Sequence, residues 1–171
     1  MEKFALDKKL VESIQKNVEA DFTQLSEIIA GIVQPYCKDL DNYIVFIREC
    51  LKDGENPATN AELEDWCLNL STYIYFASGM CEQLGIKDDI SKAIWKEVYN
   101  TNRQDNKGTI ADKNALAELA AQQEYLTNVC YNRAYKILKS KVDNAQELLQ
   151  SCKKALSHRI QEMELTRVGG Q

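Results

Sequence analysis

Glycine and proline are scarce in this chain, with seven glycines and two prolines among 171 residues. Because tight turns and sheet edges use these residues, their scarcity beside abundant Ala, Leu, Lys, Glu and Gln favours an all-helical protein. No apolar run is long enough for a membrane span, and the charged N-terminus lacks the apolar core of a secretion signal. We therefore expect a cytoplasmic protein without membrane contact.

Clusters of metal-binding or catalytic side chains are also missing. His158 is the single histidine, and the six cysteines lie at least thirteen residues apart, with no Cys-x-x-Cys pair. Zinc sites and disulfide frameworks need closer ligands, so we expect buried free thiols and no metal. The chain has no glycine-rich phosphate loop, no nucleophile elbow and no His-Glu-x-x-His motif. These absences predict a protein that is not an enzyme and needs no cofactor.

Charge is unevenly distributed along the chain, whose formal net charge is −5. Residues 1–65 hold fourteen acidic side chains against seven basic ones, whereas residues 133–159 hold seven basic side chains against two acidic ones. A protein that is acidic overall can still contact a polyanion through a locally positive surface.

An apolar stripe marks the N-terminal part, with one apolar residue at every third or fourth position from Leu6 to Leu51. This spacing predicts a helix, and Gly31 and Pro35 inside it predict either a kink or two helices that share one face. The run from Asp53 to Pro57 should end it. We expect two parts, an N-terminal helical extension at 1–56 and a helical core at 57–171.

Two capping boxes predict where later helices begin. Thr59-x-x-Glu62 opens one, which we expect to stop at Gly85. Asp88 is then expected to cap a further helix that ends near residues 106–108. Thr109-x-x-Asp112 is the second box, and sixty residues without Gly or Pro follow from position 109 to position 168.

The segment after Thr109 is predicted to form one very long helix, of roughly 90 Å. Such a helix must protrude, fold back or be covered by other subunits, and we favour self-assembly because an apolar seam runs along it. The seam is narrow, about 80° on the helical wheel, as in coiled coils. The expected fold is therefore an all-α, elongated helical bundle that forms a homo-oligomer. The predicted oligomer interface comprises Leu138, Val142, Ala145, Leu149, Cys152, Leu156, Ile160 and Met163.

Basic residues form a second stripe, on the helix that precedes the long one. Lys92, Lys96, Arg103 and Lys107 fall within about 60° of one another on the helical wheel. Trp95 and Tyr99 lie at the border of this stripe. Cations that follow a phosphate backbone beside aromatic faces are what a sequence-tolerant site for single-stranded nucleic acid needs. The alternative is an ordinary solvated face whose aromatic residues turn into the core.

The order of these helices resembles a known family. A helix with Trp and Tyr is followed by a Lys-rich helix ending Asn-Arg-Gln-Asp-Asn-Lys-Gly-Thr-Ile-Ala-Asp-Lys (102–113) and by a long helix closing Ala-Leu-Ser-His-Arg-Ile-Gln-Glu-Met (155–163). This order resembles the small helical proteins of tailed phages that are similar to the UvsY recombination mediator. The resemblance covers roughly residues 60–167, and residues 1–56 have no counterpart in it.

The resemblance implies an oligomeric, non-enzymatic protein that binds single-stranded DNA. It also implies that the protein loads a recombinase onto strands covered by single-strand-binding protein, in the host cytoplasm if a phage encodes it. Lys96 matches a basic residue of the family's DNA-binding segment, but Val98 stands where an arginine is expected. The alternative is an all-helical protein-interaction component, such as a virion or assembly protein or an inhibitor of host defence, without nucleic-acid binding.

Overall fold

The computed structural model describes residues 8–52 and 58–169, which form four helices and no strand. These are α1 (Lys8–Lys52), α2 (Asn60–Asp105), α3 (Ile110–Ala120) and α4 (Gln122–Gly169). The predicted all-α bundle is confirmed, and α1, α2 and α4 are each roughly 70 Å long. None of these helices is both long and apolar enough to cross a membrane. The predicted boundary between the two parts of the chain, after residue 56, lies outside the described residues. So does Leu6, the first residue of the predicted apolar stripe.

The three long helices share one elongated core. Ile47 of α1 packs in a cluster with Leu63 of α2 and Leu149 of α4. A second cluster lies further along and contains Val33, Cys81 of α2 and Leu138 of α4. The order of these residues shows that α1 and α4 run in the same direction and that α2 runs opposite. α1 passes through Pro35 as one helix and contributes to both clusters, so it is an integral part of the bundle.

Most of the seam predicted for subunit contact lies inside this core. Five of its residues are at most 8% exposed and pack within the chain, namely Leu138, Val142, Ala145, Leu149 and Cys152. Their assignment to an oligomer interface is corrected here, because α1 and α2 already cover them. An apolar seam has the same spacing whether its partner helix belongs to the same chain or to another. Leu156 is half-buried, whereas Ile160 and Met163 are 42% and 57% exposed and remain accessible.

α2 does not stop at Gly85, and Asp88 does not cap a new helix. Both predictions are wrong because these residues serve the contact between α2 and α4. A Cβ atom at Gly85 would lie 3.2 Å from the ring of Tyr135, so glycine allows the two helices to approach closely. The Asp88 carboxylate accepts hydrogen bonds from the side-chain amides of Asn128 (3.1 Å) and Asn132 (2.8 Å) on α4.

Both predicted capping boxes are confirmed, at Thr59 before α2 and at Thr109 before α3. At the second box the Thr109 hydroxyl accepts the backbone N–H of Asp112, whose carboxylate accepts the backbone N–H of Thr109. Gly108 precedes this box with a φ of 131°, a conformation that favours glycine. The connection between α2 and α3 therefore turns where the sequence indicated.

The predicted last helix is interrupted once, at Ala121. This residue has φ −98° and ψ 10°, outside the helical region, and it is fully buried. Backbone hydrogen bonds from Ala121 to Ala117 and from Tyr125 to Ala121 continue across the interruption. The segment is thus divided into α3, which packs mainly on α2, and the 48-residue α4.

Candidate nucleic-acid interface

Three helices enclose a groove at the end of the bundle where α2 gives way to α3 and α4. The groove has a volume of about 800 Å³. α2 supplies most of its wall, the C-terminal turn of α3 closes one side and the first turn of α4 closes the other. Its lining residues are Trp95, Lys96, Tyr99, Asn100, Glu118, Gln122 and Tyr125.

Three aromatic rings line this groove. Trp95 and Tyr99 are one helical turn apart on α2 and are half-buried. The Trp95 ring centroid lies 5.4 Å from that of Tyr125, and the two planes are tilted by 58°. Neither α2 ring joins the core clusters, where Trp66 is 3% exposed. The two rings are therefore partly exposed at the groove and lie outside both core clusters.

The basic residues of the predicted stripe are only partly gathered here. Lys96 lines the aromatic groove, while Arg103 lines an adjoining cavity of about 400 Å³ together with Lys113 of α3. Asn100 borders both spaces, so they form one continuous surface. Lys96 and Arg103 are exposed and form no ion pair with any described residue.

Two residues of the predicted stripe lie outside both spaces. Lys92 is exposed on α2 but lines neither cavity. Lys107 follows the end of α2 at Asp105, so the helical wheel that placed it beside Arg103 does not apply to it. Of the predicted six, Trp95, Lys96, Tyr99 and Arg103 line the two spaces, together with Tyr125 and Lys113, and their role in binding nucleic acid stays a prediction.

Tyr125 and Lys113 were missed because they belong to other helices than the stripe. Helical spacing relates residues within one helix, whereas the turn at Gly108 and the interruption at Ala121 bring these side chains to α2. The sequence does carry a signal for the first turn, since Thr109-x-x-Asp112 follows Gly108 directly. It carries none for the interruption, where an alanine occupies the site.

The surroundings of the groove are balanced in charge, unlike the acidic chain as a whole. Residues 92–125, which contain every residue that lines the two spaces, hold five basic side chains and five acidic ones. Asp112 is engaged in its capping box, where the Thr109 hydroxyl and backbone N–H lower the pKa of its carboxyl. Glu118 is the one carboxylate among the residues that line the aromatic groove.

The groove offers stacking faces, amide groups and cations. Within 8–52 and 58–169, no group of three or more His, Cys, Asp or Glu side chains is arranged to hold a metal ion. Asn100 and Gln122 can donate to or accept from a base edge, and Lys96 can contact a phosphate. This combination suits a flexible, unpaired polynucleotide better than a duplex, whose bases are already stacked.

Comparisons of the chain with protein families, with curated proteins and with solved structures found no match. Any functional assignment therefore rests on the residues of the groove and on the resemblance to UvsY-like proteins.

Proposed function

We propose that this protein binds single-stranded DNA and acts as a recombination mediator of the phage type, without catalysing a reaction. One observation supports the proposal above all. Trp95, Tyr99 and Tyr125 border an open groove with Lys96, and none of the three rings belongs to either core cluster. Aromatic platforms beside cations are the shared property of sequence-tolerant single-strand sites.

The dimensions of the surface suit a short stretch of polynucleotide. The aromatic groove has room for bases, and the adjoining cavity with Arg103 and Lys113 extends it along α2 and α3. A strand that stacks at Trp95 would carry its next phosphates toward Arg103. The proposed partners, a recombinase and a single-strand-binding protein, follow from the resemblance to UvsY-like proteins.

Tryptophan fluorescence tests the proposal directly because the chain has only two tryptophans. Trp95 borders the groove, whereas Trp66 is 3% exposed in the core. We expect an oligothymidylate at low salt to quench the emission of the unaltered protein, because a stacked base contacts the Trp95 ring.

Trp95→Phe is the matched control, since phenylalanine keeps a stacking face and leaves only the buried Trp66. The variant should lose the quenching while still binding the oligonucleotide, as measured by anisotropy of a dye on the DNA. Unchanged quenching in Trp95→Phe, or no anisotropy change with either protein, would refute the proposal.

A second candidate, a protein-interaction component, is favoured by an exposed apolar patch on the outer face of α2. Leu68, Tyr75 and Phe76 are 72%, 75% and 59% exposed. Contiguous exposed apolar side chains mark protein contacts. The absence of any DNA binding in the experiment above would favour this candidate.

A further inference from the structure

α1 and α4 bound a second, larger groove, on a part of the bundle that the DNA groove does not use. Its volume is about 1010 Å³. Phe22, Ile29 and Val33 line it from α1, and Val129 and Ile137 line it from α4. The two grooves share no lining residue. Two neighbouring helices with an apolar groove between them can form a four-helix bundle when a second pair of helices packs against that groove.

Apolar side chains at this groove are left in solvent by the fold. Phe22 is 63% exposed and Ile137 is 42% exposed, and Val18 and Ile28 on the same part of α1 are 59% and 46% exposed. Along the apolar stripe of α1, burial thus increases from the exposed Val18 and Phe22, through the half-buried Leu25 and Ile29, to the buried Val33. Exposed apolar surface of this extent calls for a partner of similar character.

The charges around the groove indicate which partner fits. Residues 17–37 of α1 carry three acidic side chains, at Glu19, Asp21 and Glu27, and no basic one. Residues 125–142 of α4 carry four basic side chains and no acidic one. Of these four, only Lys141 forms an ion pair with a described residue, with 2.7 Å between its Nζ and the Asp41 carboxylate. In a two-fold pair of copies, the basic α4 of each copy would face the acidic α1 of the other.

We propose that two copies of this chain associate through this surface, with α1 and α4 of each copy forming a two-fold four-helix contact. The surface is self-complementary in both respects, since each copy offers the same exposed apolar residues and the same pair of opposite charges. Self-complementarity is the requirement for an isologous dimer. This interface is separate from the buried 138–152 part of the α4 seam, which is covered within each chain, and its groove shares no lining residue with the DNA groove.

The mass of the intact chain in solution tests the inference. Light scattering at a chain concentration of tens of micromolar should give twice the 19.5 kDa chain mass, or an even multiple of it. Phe22→Glu should give a monomer, because each dimer would have to bury two carboxylates without partners. Its melting curve at low concentration should match that of the unaltered chain, since Phe22 is mostly exposed. A monomeric unaltered chain would overturn the inference.

Leu119→Glu is the matched control, because Leu119 is an exposed leucine on α3 that lines neither groove. It should leave the mass unchanged. Dissociation by Leu119→Glu, or a dimer that survives Phe22→Glu, would place the contact elsewhere and overturn the inference. Quenching of Trp95 by DNA in the Phe22→Glu monomer reports on the proposed function separately.

Charge reversal gives a second test that does not depend on apolar packing. One variant carries Glu19→Lys, Asp21→Lys and Glu27→Lys, and the other carries Arg133→Glu, Lys136→Glu and Lys139→Glu, all at exposed positions. Each variant alone should be monomeric, because its α1 and α4 carry the same sign of charge. An equimolar mixture should restore the dimer at low salt, and failure of the mixture to associate would contradict the proposed arrangement.

Discussion

At the scale of single residues, burial decides the chemistry of the cysteines. All six are free, and Cys37, Cys81, Cys130 and Cys152 are buried. Burial raises the pKa of the Cys37 thiol, as does the nearby Asp41 carboxylate, which accepts the S–H hydrogen bond at 3.1 Å, and together they bring it to about 11. A thiol with so high a pKa is a poor nucleophile at neutral pH. The prediction of buried free thiols is confirmed at these four positions, whereas Cys50 and Cys67 are only half-buried.

The Cys37 pKa predicts a loss of stability at alkaline pH. The folded-state pKa is raised above the ordinary value of 9.0, so its contribution to stability is complete below about pH 9 and is lost as the pH rises through about 11. The free energy of unfolding of the unaltered chain should therefore fall more steeply between pH 9 and 11 than that of Cys37→Ala. Urea unfolding at each pH measures the difference, and two parallel curves would show that the thiol does not remain protonated in the fold.

At the scale of helices, two glycines of α2 occupy different surroundings. A Cβ atom at Gly79 would meet no atom within 4 Å, whereas one at Gly85 would meet the Tyr135 ring at 3.2 Å. Gly79→Ala should stabilise the protein by about 0.5–1 kcal/mol, because alanine is the better helix former. Gly85→Ala gains the same preference but must displace Tyr135, so its net effect should be smaller or destabilising. Thermal unfolding of the pair measures this, and equal stabilisation by both would contradict the close approach of α2 to α4.

Gly85 also shows which features of the fold a local sequence pattern can predict and which it cannot. The capping boxes at Thr59 and Thr109 were predictable because their partners lie three residues apart. The roles of Gly85 and Asp88 were not, because a glycine that ends a helix and one that admits a neighbouring ring look alike in sequence. Likewise Lys96 and Arg103 followed from spacing along α2, whereas Tyr125 and Lys113 reach the groove only through the path of the chain between helices.

At the scale of the whole molecule, the three long helices cover one another over most of their length. The apolar seam of α4 correctly predicted a partner helix, but spacing alone does not say whether that partner is in the same chain. The fold answers this for the five seam residues from Leu138 to Cys152, which lie in its core. Among the surfaces that it leaves open are the aromatic and basic groove between α2, α3 and α4 and the apolar groove between α1 and α4.

The central claim is that the aromatic and basic groove binds single-stranded DNA, and the salt dependence of binding tests it most directly. The logarithm of the affinity should fall linearly with the logarithm of salt concentration, by about 0.7 per contacted phosphate. Lys96→Ala with Arg103→Ala should weaken binding to all sequences about equally and should flatten this slope. Lys92→Ala, at an exposed lysine outside the groove, should change neither the affinity nor the slope by a comparable amount. No binding of the unaltered chain at low salt, or the same slope in the Lys96→Ala, Arg103→Ala variant, would contradict the account.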